Sequence, residues 1–453
     1  MKPLLFGVFE NAQANDSGTA LWRHPDHDRV HFDTLDYWKN IAAICEQGGV
    51  DFLFLADAWG WSEIAGTRRD ICDRESLDLP RLDPAIIIAA LIDATSHLGL
   101  VMTGSTLVEA PYSFARRLAT LDHLSRGRIG WNVVTTGTAE TAVSAFGQSM
   151  VAHDDRYDMA DDFMDLAYKL FEGGWAPDAI ERDRAGRFSD PAKVHRIVHD
   201  GPYFKCNGYG NAHYSPQGTP VIFQAGSSPR GLKFAGRHGE CVFLGGGSDE
   251  DVSNQVRTIR QQAQACGRDS EQDIKILCAF TCVIGSDEND AREKHRAISQ
   301  SQTLDAAAAS YAMFTGLDLT SYPGSTKMNA LSTELSQTQL NRLGDMTVEE
   351  VLSSWLENGV RPPPVLGSAS QIVEHLQTRV AQTGIDGFLF APTIQPSSTE
   401  DFVREILPEF RRTTGTMQQP GALLRQRMMG TESPYLVDRH RGARFRPATA
   451  TTI

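Results

Sequence analysis

The stretch Val221–Gly231 reads VIFQAGSSPRG: strand-forming residues run into a glycine, two serines and a proline. Ser228 followed by Pro229 has the form of an N-cap and a first helical residue, so a helix starts there. One strand feeding one helix through a short polar turn is the building unit of a parallel α/β fold.

The same unit recurs outward in both directions. Apolar runs predict strands at 4–9, 52–57, 100–106, 128–136, 220–226, 240–246, 274–285 and 386–393. Helical spacing falls between them. Trp38, Ile41, Ala42 and Cys45 mark one face, and Ile86, Ile87, Ala90, Leu91 and Ala94 another. Residues 111–125 open on a proline, Met159, Phe163, Leu166 and Leu170 share a face, and 401–412 closes the series. Strands that are apolar throughout are buried on both faces, as in parallel sheets. Eight such units predict an α/β fold of the (β/α)8 TIM-barrel type, one barrel over 1–412. Two insertions break the rhythm. One, 174–219, contains a small hairpin; the other, 301–365, is a candidate lid. The tail 413–453 reads as polar and loop-rich.

The 453 residues carry 43 Lys and Arg against 57 Asp and Glu, a net charge of −14. An acidic surface disfavours nucleic acid and anionic membranes as partners. The start lacks the apolar core of a signal peptide, and no apolar run spans a bilayer, so a cytoplasmic protein with reduced thiols is expected. Cys278 and Cys282 read as small core residues on one face of one strand rather than as metal ligands. His24, His27 and His31 read as solvated loop histidines, and no metal site is expected.

A barrel of this type carries its active site at the C-terminal strand ends. Those positions hold Glu10, Asn11 and Gln13; Asp57, Trp59, Trp61 and Ser62; Ser105 and Thr106; Asn132, Thr135 and Thr136; Gly226, Ser227 and Ser228; and Thr393. The ring has no HExxH, no GxSxG and no carboxylates paired on neighbouring strands. Asp57 reads equally as a site acid or as a cap for loop N–H groups. Many hydroxyls and amides without a strong acid–base pair imply reactivity borrowed from a cofactor. The helix start at Ser228 favours an anion, and HDDRY at 153–157 offers His153, Arg156 and Tyr157 to the same end.

ALWRHPDHDRVHFDTLDYW (20–38), DFLFLAD (51–57), RRLATLDHLSRGRIGWNVVT (116–135), HDDRYDMADDF (153–163), FSDPAKVH (188–195), SPQGTPVIFQAGSSPRG (215–231) and GIDGF (384–388) together resemble the bacterial-luciferase-like flavin-dependent monooxygenases. The similarity is to the branch of nitrilotriacetate, dibenzothiophene-sulfone and long-chain alkane monooxygenases, over residues 4 to about 410. The resemblance implies reduced FMN supplied by a separate NAD(P)H-dependent flavin reductase, O2 as co-substrate, a flavin (hydro)peroxide, and a homo-oligomer, dimer or tetramer. It places the FMN phosphate at Tyr157, Ala225, Gly226, Ser227 and Ser228 with His153 nearby, and the ring near Phe9, Asp57, Thr106 and Asn132. Ser105 and Thr136 are its catalytic hydroxyls, Thr136 donating to the peroxide.

On the substrate side the chain departs from the alkane enzymes. Their Cys and His after the first strand fall near Gln13 and Asp16, their Tyr at Ser62, one His at Gly137, and the lid His at Ser310 and Tyr311. With Trp59 and Trp61 alongside, this points away from alkanes and toward a planar aromatic, heterocyclic or organosulfur substrate. Two alternatives stand beside that two-component monooxygenase: a lyase cleaving riboflavin to lumichrome with reduced FMN and O2, and a non-catalytic flavin-binding barrel.

Overall fold

The computed structural model describes residues 3–16, 18–63, 68–135, 139–226, 228–332, 343–360, 363–414 and 421–447. Twelve strands occur among them: β1 (Leu5–Asn11), β2 (Phe52–Ala56), β3 (Gly99–Ser105), β4 (Ile129–Val134), β5 (Ile197–Asp200), β6 (Lys205–Gly208), β7 (Val221–Gln224), β8 (Cys241–Leu244), β9 (Lys275–Phe280), β10 (Cys282–Ile284), β11 (Val365–Gly367) and β12 (Gly387–Phe390). Eight close into a barrel in the order β1-β2-β3-β4-β7-β8-β9-β12, and every neighbouring pair is parallel. The (β/α)8 expectation is met: each of the eight apolar runs supplies one barrel strand.

Helices between the strands include α1 (Leu35–Gln47), α2 (Arg68–Glu75), α3 (Pro84–Ala94), α4 (Pro111–Ser125), α5 (Ala139–Ala145), α6 (His153–Tyr168), α7 (Pro229–His238), α8 (Asp249–Ala265), α9 (Glu288–Ser299) and α10 (Leu304–Thr315). Alternate strand residues point inward, and Leu5, Phe52, Phe54, Val101, Val221, Phe223, Cys241, Leu277 and Leu389 fill the barrel's interior. Gly7 faces this packing. A Cβ there would lie 2.2 Å from Cε2 of Phe52, so only glycine lets the phenyl ring cross the axis.

Four expectations are corrected. The run 274–285 is two strands, because the chain leaves the barrel at Thr281 and β10 pairs in parallel with β11 in a separate sheet. Cys278 and Cys282 are both buried in the core, but on different strands. On α3 the buried face is Ile87, Ile88 and Leu91, while Ile86 is 70% exposed. The tail is not merely loop. The helix Leu424–Met429 inserts Leu424 and Met428 into the barrel's interior cluster and buries Arg425, whose guanidinium bonds Glu240 and the carbonyls of Gln217 and Thr219.

The insertion 174–219 holds the expected hairpin, β5 antiparallel to β6. The insertion 301–365 contains α10 and the helix Val348–Asn358, joined by an edge contact of Tyr311 on Trp355 with centroids 5.0 Å apart. Ala306 and Ala309 of α10 pack with Ile71 and Cys72 of α2. Ser310 Oγ donates to the carbonyl of Gly18 at 2.9 Å and accepts from Trp355 Nε1 at 3.0 Å, tying this insertion to the loop after β1. Among the described residues no helix is long and apolar enough to cross a membrane.

Candidate active site

The mouth of the barrel lies above an aromatic floor. Phe9 at the end of β1 stacks on Phe54, centroids 5.6 Å apart, and Phe54 meets Phe243 edge-on at 5.0 Å. Beside this floor a polar chain crosses three strands. Asn132 Nδ2 donates to Thr103 Oγ1 at 3.0 Å, and the Thr103 hydroxyl donates to the carbonyl of Leu55 at 3.0 Å. Asn132 is 3% exposed, and its Oδ1 has no partner among the described residues. A buried acceptor left open carries a free-energy cost unless something meets it. A flat heteroaromatic ring with N–H donors suits both features.

Ser105 is fully buried, and its Oγ accepts from the Leu107 N–H at 3.2 Å. Thr106 bonds the Val134 carbonyl through both its N–H, at 3.0 Å, and its hydroxyl, at 3.3 Å, pinning the end of β3 to β4. Thr136, Gly137 and Ser227 lie outside the described residues. Glu10 turns away from the mouth, as strand alternation requires, and is buried against Arg29, Oε2 to Nη2 2.9 Å, and Gln395. His27 corrects the reading of solvated histidines: it is 2% exposed, and its Nδ1 accepts from the Gln395 N–H at 3.1 Å. Burial and the nearby Arg29 push its pKa well below the usual imidazole value.

After β2 the loop is held by long-range bonds. Asp57 Oδ1 accepts from the Ala58 N–H at 2.8 Å. Arg81 Nη1 donates to the Ala58 carbonyl at 2.6 Å, and its Nε and Nη2 donate to Gln13 Oε1 at 3.0 and 2.7 Å. Burial pushes the Asp57 carboxyl up to about 6; Arg81 opposes the rise, and Asp83 and Glu109 add to it. The Trp61 N–H donates to Thr141 Oγ1 at 3.0 Å, whose hydroxyl donates to the Trp61 carbonyl at 2.6 Å, fixing the loop to α5. Trp59 meets Phe146 edge-on at 5.4 Å and packs with Leu107, Val108, Ala142 and Val143. The Ser62 N–H donates to Asp78 Oδ2 at 3.0 Å, and its hydroxyl reaches the Met313 carbonyl of α10 at 3.5 Å. Tyr311 stands apart from this group: it is fully buried in the packing between α10 and the helix Val348–Asn358.

Across the mouth, the turn after β7 forms a cradle. Ser228 caps α7, its Oγ accepting from the Gly231 N–H at 3.1 Å, with Pro229 in the first turn. The Ala225 carbonyl accepts from Gln224 Nε2 at 2.8 Å. A Cβ on Gly231 would lie 2.8 Å from the Tyr157 hydroxyl, 3.1 Å from Ser228 Oγ and 3.4 Å from Gly226 Cα. Those three groups therefore converge on one small space beside Gly231 that any side chain there would fill. The positive end of a helix, a hydroxyl and a phenol around such a space fit a phosphate. Tyr157 is buried on α6; His153 opens that helix, its side chain lying outside the described residues. The sequence reading missed Gly231, Arg81 and Thr103. A glycine in the first turn of a helix, where alanine is better, was the available signal for Gly231. A polar residue on the inward face of β3 was the signal for Thr103. Nothing local marks Arg81.

Comparison with known proteins agrees with the barrel fold. The family model for luciferase-like monooxygenases matches residues 2–387. The chain is 35% identical to the long-chain alkane monooxygenase of Geobacillus thermodenitrificans, covering 98% of both proteins. It is 34% identical to the dimethyl-sulfide monooxygenase of Hyphomicrobium sulfonivorans, covering 99% of this chain and 94% of that one. A crystal structure of a riboflavin lyase with modified FMN and substrate riboflavin superposes with a TM-score of 0.92 at 60% identity, covering 98% of this chain and 100% of that one. The chain belongs to the luciferase-like monooxygenase family and is a reduced-flavin-dependent enzyme.

Proposed function

We propose that this enzyme cleaves riboflavin oxidatively, with reduced FMN as cofactor and O2 as co-substrate. The observation that carries the reading is the 60% identity, across nearly the whole of both chains, to a riboflavin lyase. The site supports it. The cradle of Gly226, Ser228, Gly231 and Tyr157 suits the phosphate of FMN, and Phe9, Phe54 and Asn132 suit its ring. Bound reduced FMN supplies two electrons, with which O2 gives one oxygen atom to the substrate and one to water.

The balance of the reaction is simple. Riboflavin plus one oxygen atom equals lumichrome plus a pentose. Insertion at the ribityl carbon borne by N10 gives a carbinolamine, and breaking its C–N bond leaves lumichrome and an aldehyde sugar. The protein's part is to hold the ribityl chain and keep water out. Gln13 and Arg81, bonded to each other, with the Asp57 carboxyl near Arg81, form a polar wall suited to a polyol and ill suited to an alkane or dimethyl sulfide. The insertion 301–365, anchored through Ser310 and Ser62, serves as the roof. Ser105 and Thr136 are the hydroxyls assigned to the oxygen-transfer step, and a separate NAD(P)H-dependent flavin reductase supplies the reduced FMN.

The second reading is a monooxygenase acting on an organosulfur or planar aromatic compound, favoured by the dimethyl-sulfide relative. A non-catalytic barrel has no support, since the relatives named above are enzymes. The test is to supply the purified chain with FMN, a flavin reductase, NADH, O2 and riboflavin, and to follow products by chromatography. Lumichrome and pentose in equal amounts are expected. Riboflavin left intact while an organosulfur or aromatic panel is oxygenated would replace this reading with the second.

A further inference from the structure

The cradle depends on Tyr157, and the Tyr157 ring is covered by the guanidinium of Arg230. Arg230 lies in the first turn of α7, two residues after the capping serine, yet its guanidinium reaches across to α6. Its Nη2 donates to Asp158 Oδ1 at 2.7 Å and to Asp161 Oδ2 at 2.9 Å. Its guanidinium carbon sits 5.4 Å from the centroid of the Tyr157 ring, within cation–π range. Phe234, one turn further along α7, packs on the same ring at 5.7 Å.

Asp161 is the hub of this clamp. Besides Arg230 it accepts from Arg237 Nη1 at 3.0 Å and bonds the buried His238 Nε2 at 2.7 Å. Burial alone would raise its carboxyl, but His238, Arg230 and Arg237 outweigh that and hold it down at about 2, so it is ionised at any working pH. Two arginines face two aspartates, and the clamp is charge-balanced. Arg230 therefore offers a ligand little net charge. What it offers is orientation: the ring it covers carries the hydroxyl that closes the cradle, 2.8 Å from where a Gly231 side chain would begin.

We propose that Arg230 is a positioning residue for phosphate recognition: it locks the Tyr157 ring so that the hydroxyl stands at the cradle, and this makes that end of the site select flavins that carry a phosphate. The proposal rests on the reading that the cradle takes the phosphate of FMN. Under that reading it also explains how one barrel sorts two flavins that share a ring system, keeping FMN as cofactor and leaving riboflavin as substrate.

The test is binding of oxidised FMN and of riboflavin, each followed by flavin fluorescence, to the wild-type chain and to the variants Arg230→Ala, Arg230→Lys, Tyr157→Phe and the Arg230→Ala/Tyr157→Phe double. The wild type is expected to bind FMN more tightly than riboflavin. Arg230→Ala lowers FMN affinity about tenfold, the scale of a lost cation–π contact, and leaves riboflavin affinity unchanged. Arg230→Lys, which keeps the charge but loses the planar fork, falls between. The double variant is no weaker than the worse single, because both changes remove one coupled interaction. Equal losses for FMN and riboflavin in Arg230→Ala would mean a general role in folding and overturn the proposal, as would additive losses in the double variant or FMN binding unchanged by Arg230→Ala. A wild-type protein with no preference for FMN would instead sink the phosphate reading itself, and the proposal with it.

Discussion

The two ends of the mouth are built in different ways. The end proposed for the phosphate is local: Gly226, Ser228 and Gly231 span six residues, and a helix cap does most of the shaping. Only Tyr157 comes from elsewhere, on the neighbouring α6. The end proposed for the substrate is assembled from distant pieces. Gln13 meets Arg81, Trp61 meets Thr141, and Ser62 meets Asp78 and the carbonyl of Met313. A local device changes little when the fold is decorated differently, whereas an assembled wall is free to vary with each loop. That difference is why the cofactor is easier to read than the substrate.

The sharpest way to break this contrast is Gly231→Ala. Alanine in place of glycine favours a helix by about 1 kcal/mol, so α7 itself gains. The new Cβ stands 2.8 Å from the Tyr157 hydroxyl and fills the cradle. FMN affinity is expected to fall about 100-fold with the melting temperature nearly unchanged, because the helix gain offsets the displaced hydroxyl. Titration with FMN and a thermal melt on the same preparation check both halves. Normal FMN binding would show that the phosphate lies elsewhere.

Ser228→Ala is a milder test of the same end. It removes a hydroxyl that caps the helix and faces the cradle. Loss of a charge-assisted hydrogen bond predicts FMN binding weaker by about 1–2 kcal/mol, roughly tenfold. Loss of the cap lowers stability by about 1 kcal/mol. The two effects separate by restoring the cap: Ser228→Asp recovers the melting temperature but repels the phosphate, so its FMN affinity falls below that of the alanine variant.

The same contrast governs what the sequence makes legible. The eight barrel strands are visible because a strand buried on both faces is apolar throughout, and that signal is local. The split of 274–285 is not, since it turns on Thr281, whose hydroxyl bonds the Ala391 carbonyl at 2.9 Å and whose own carbonyl receives the Val365 N–H at 2.9 Å. Both partners are more than eighty residues away. The tail is missed for a related reason. Its helix has six residues, too few to show a period, and its Arg425 looks like a surface residue until Glu240 and three carbonyls are seen around it. In the site, Ser228 and Tyr157 follow from cap chemistry and resemblance, while Arg81 depends on a loop that brings residues 13, 58 and 81 together.

The substrate end yields the smallest expected effect, and Asp57→Asn probes it. Burial raises the Asp57 carboxyl from 3.8 to about 6, despite Arg81 beside it. A folded-state pKa above the unfolded one means that the folded protein holds its proton more tightly, so ionising Asp57 works against folding. The penalty is absent below pH 4, grows between pH 4 and 6, and is constant above that window. Asparagine mimics the protonated acid and escapes the penalty. The variant is therefore expected to match the wild type in stability near pH 4 and to exceed it at pH 8 by about 1 kcal/mol, once screening of a half-buried group is allowed for. Denaturant titrations at the two pH values measure the difference. A variant less stable at pH 8 would show that Asp57 and Arg81 act as a net favourable ion pair. Both ends of the mouth would then be held by charge-balanced clamps, and the contrast between them would rest on sequence distance alone.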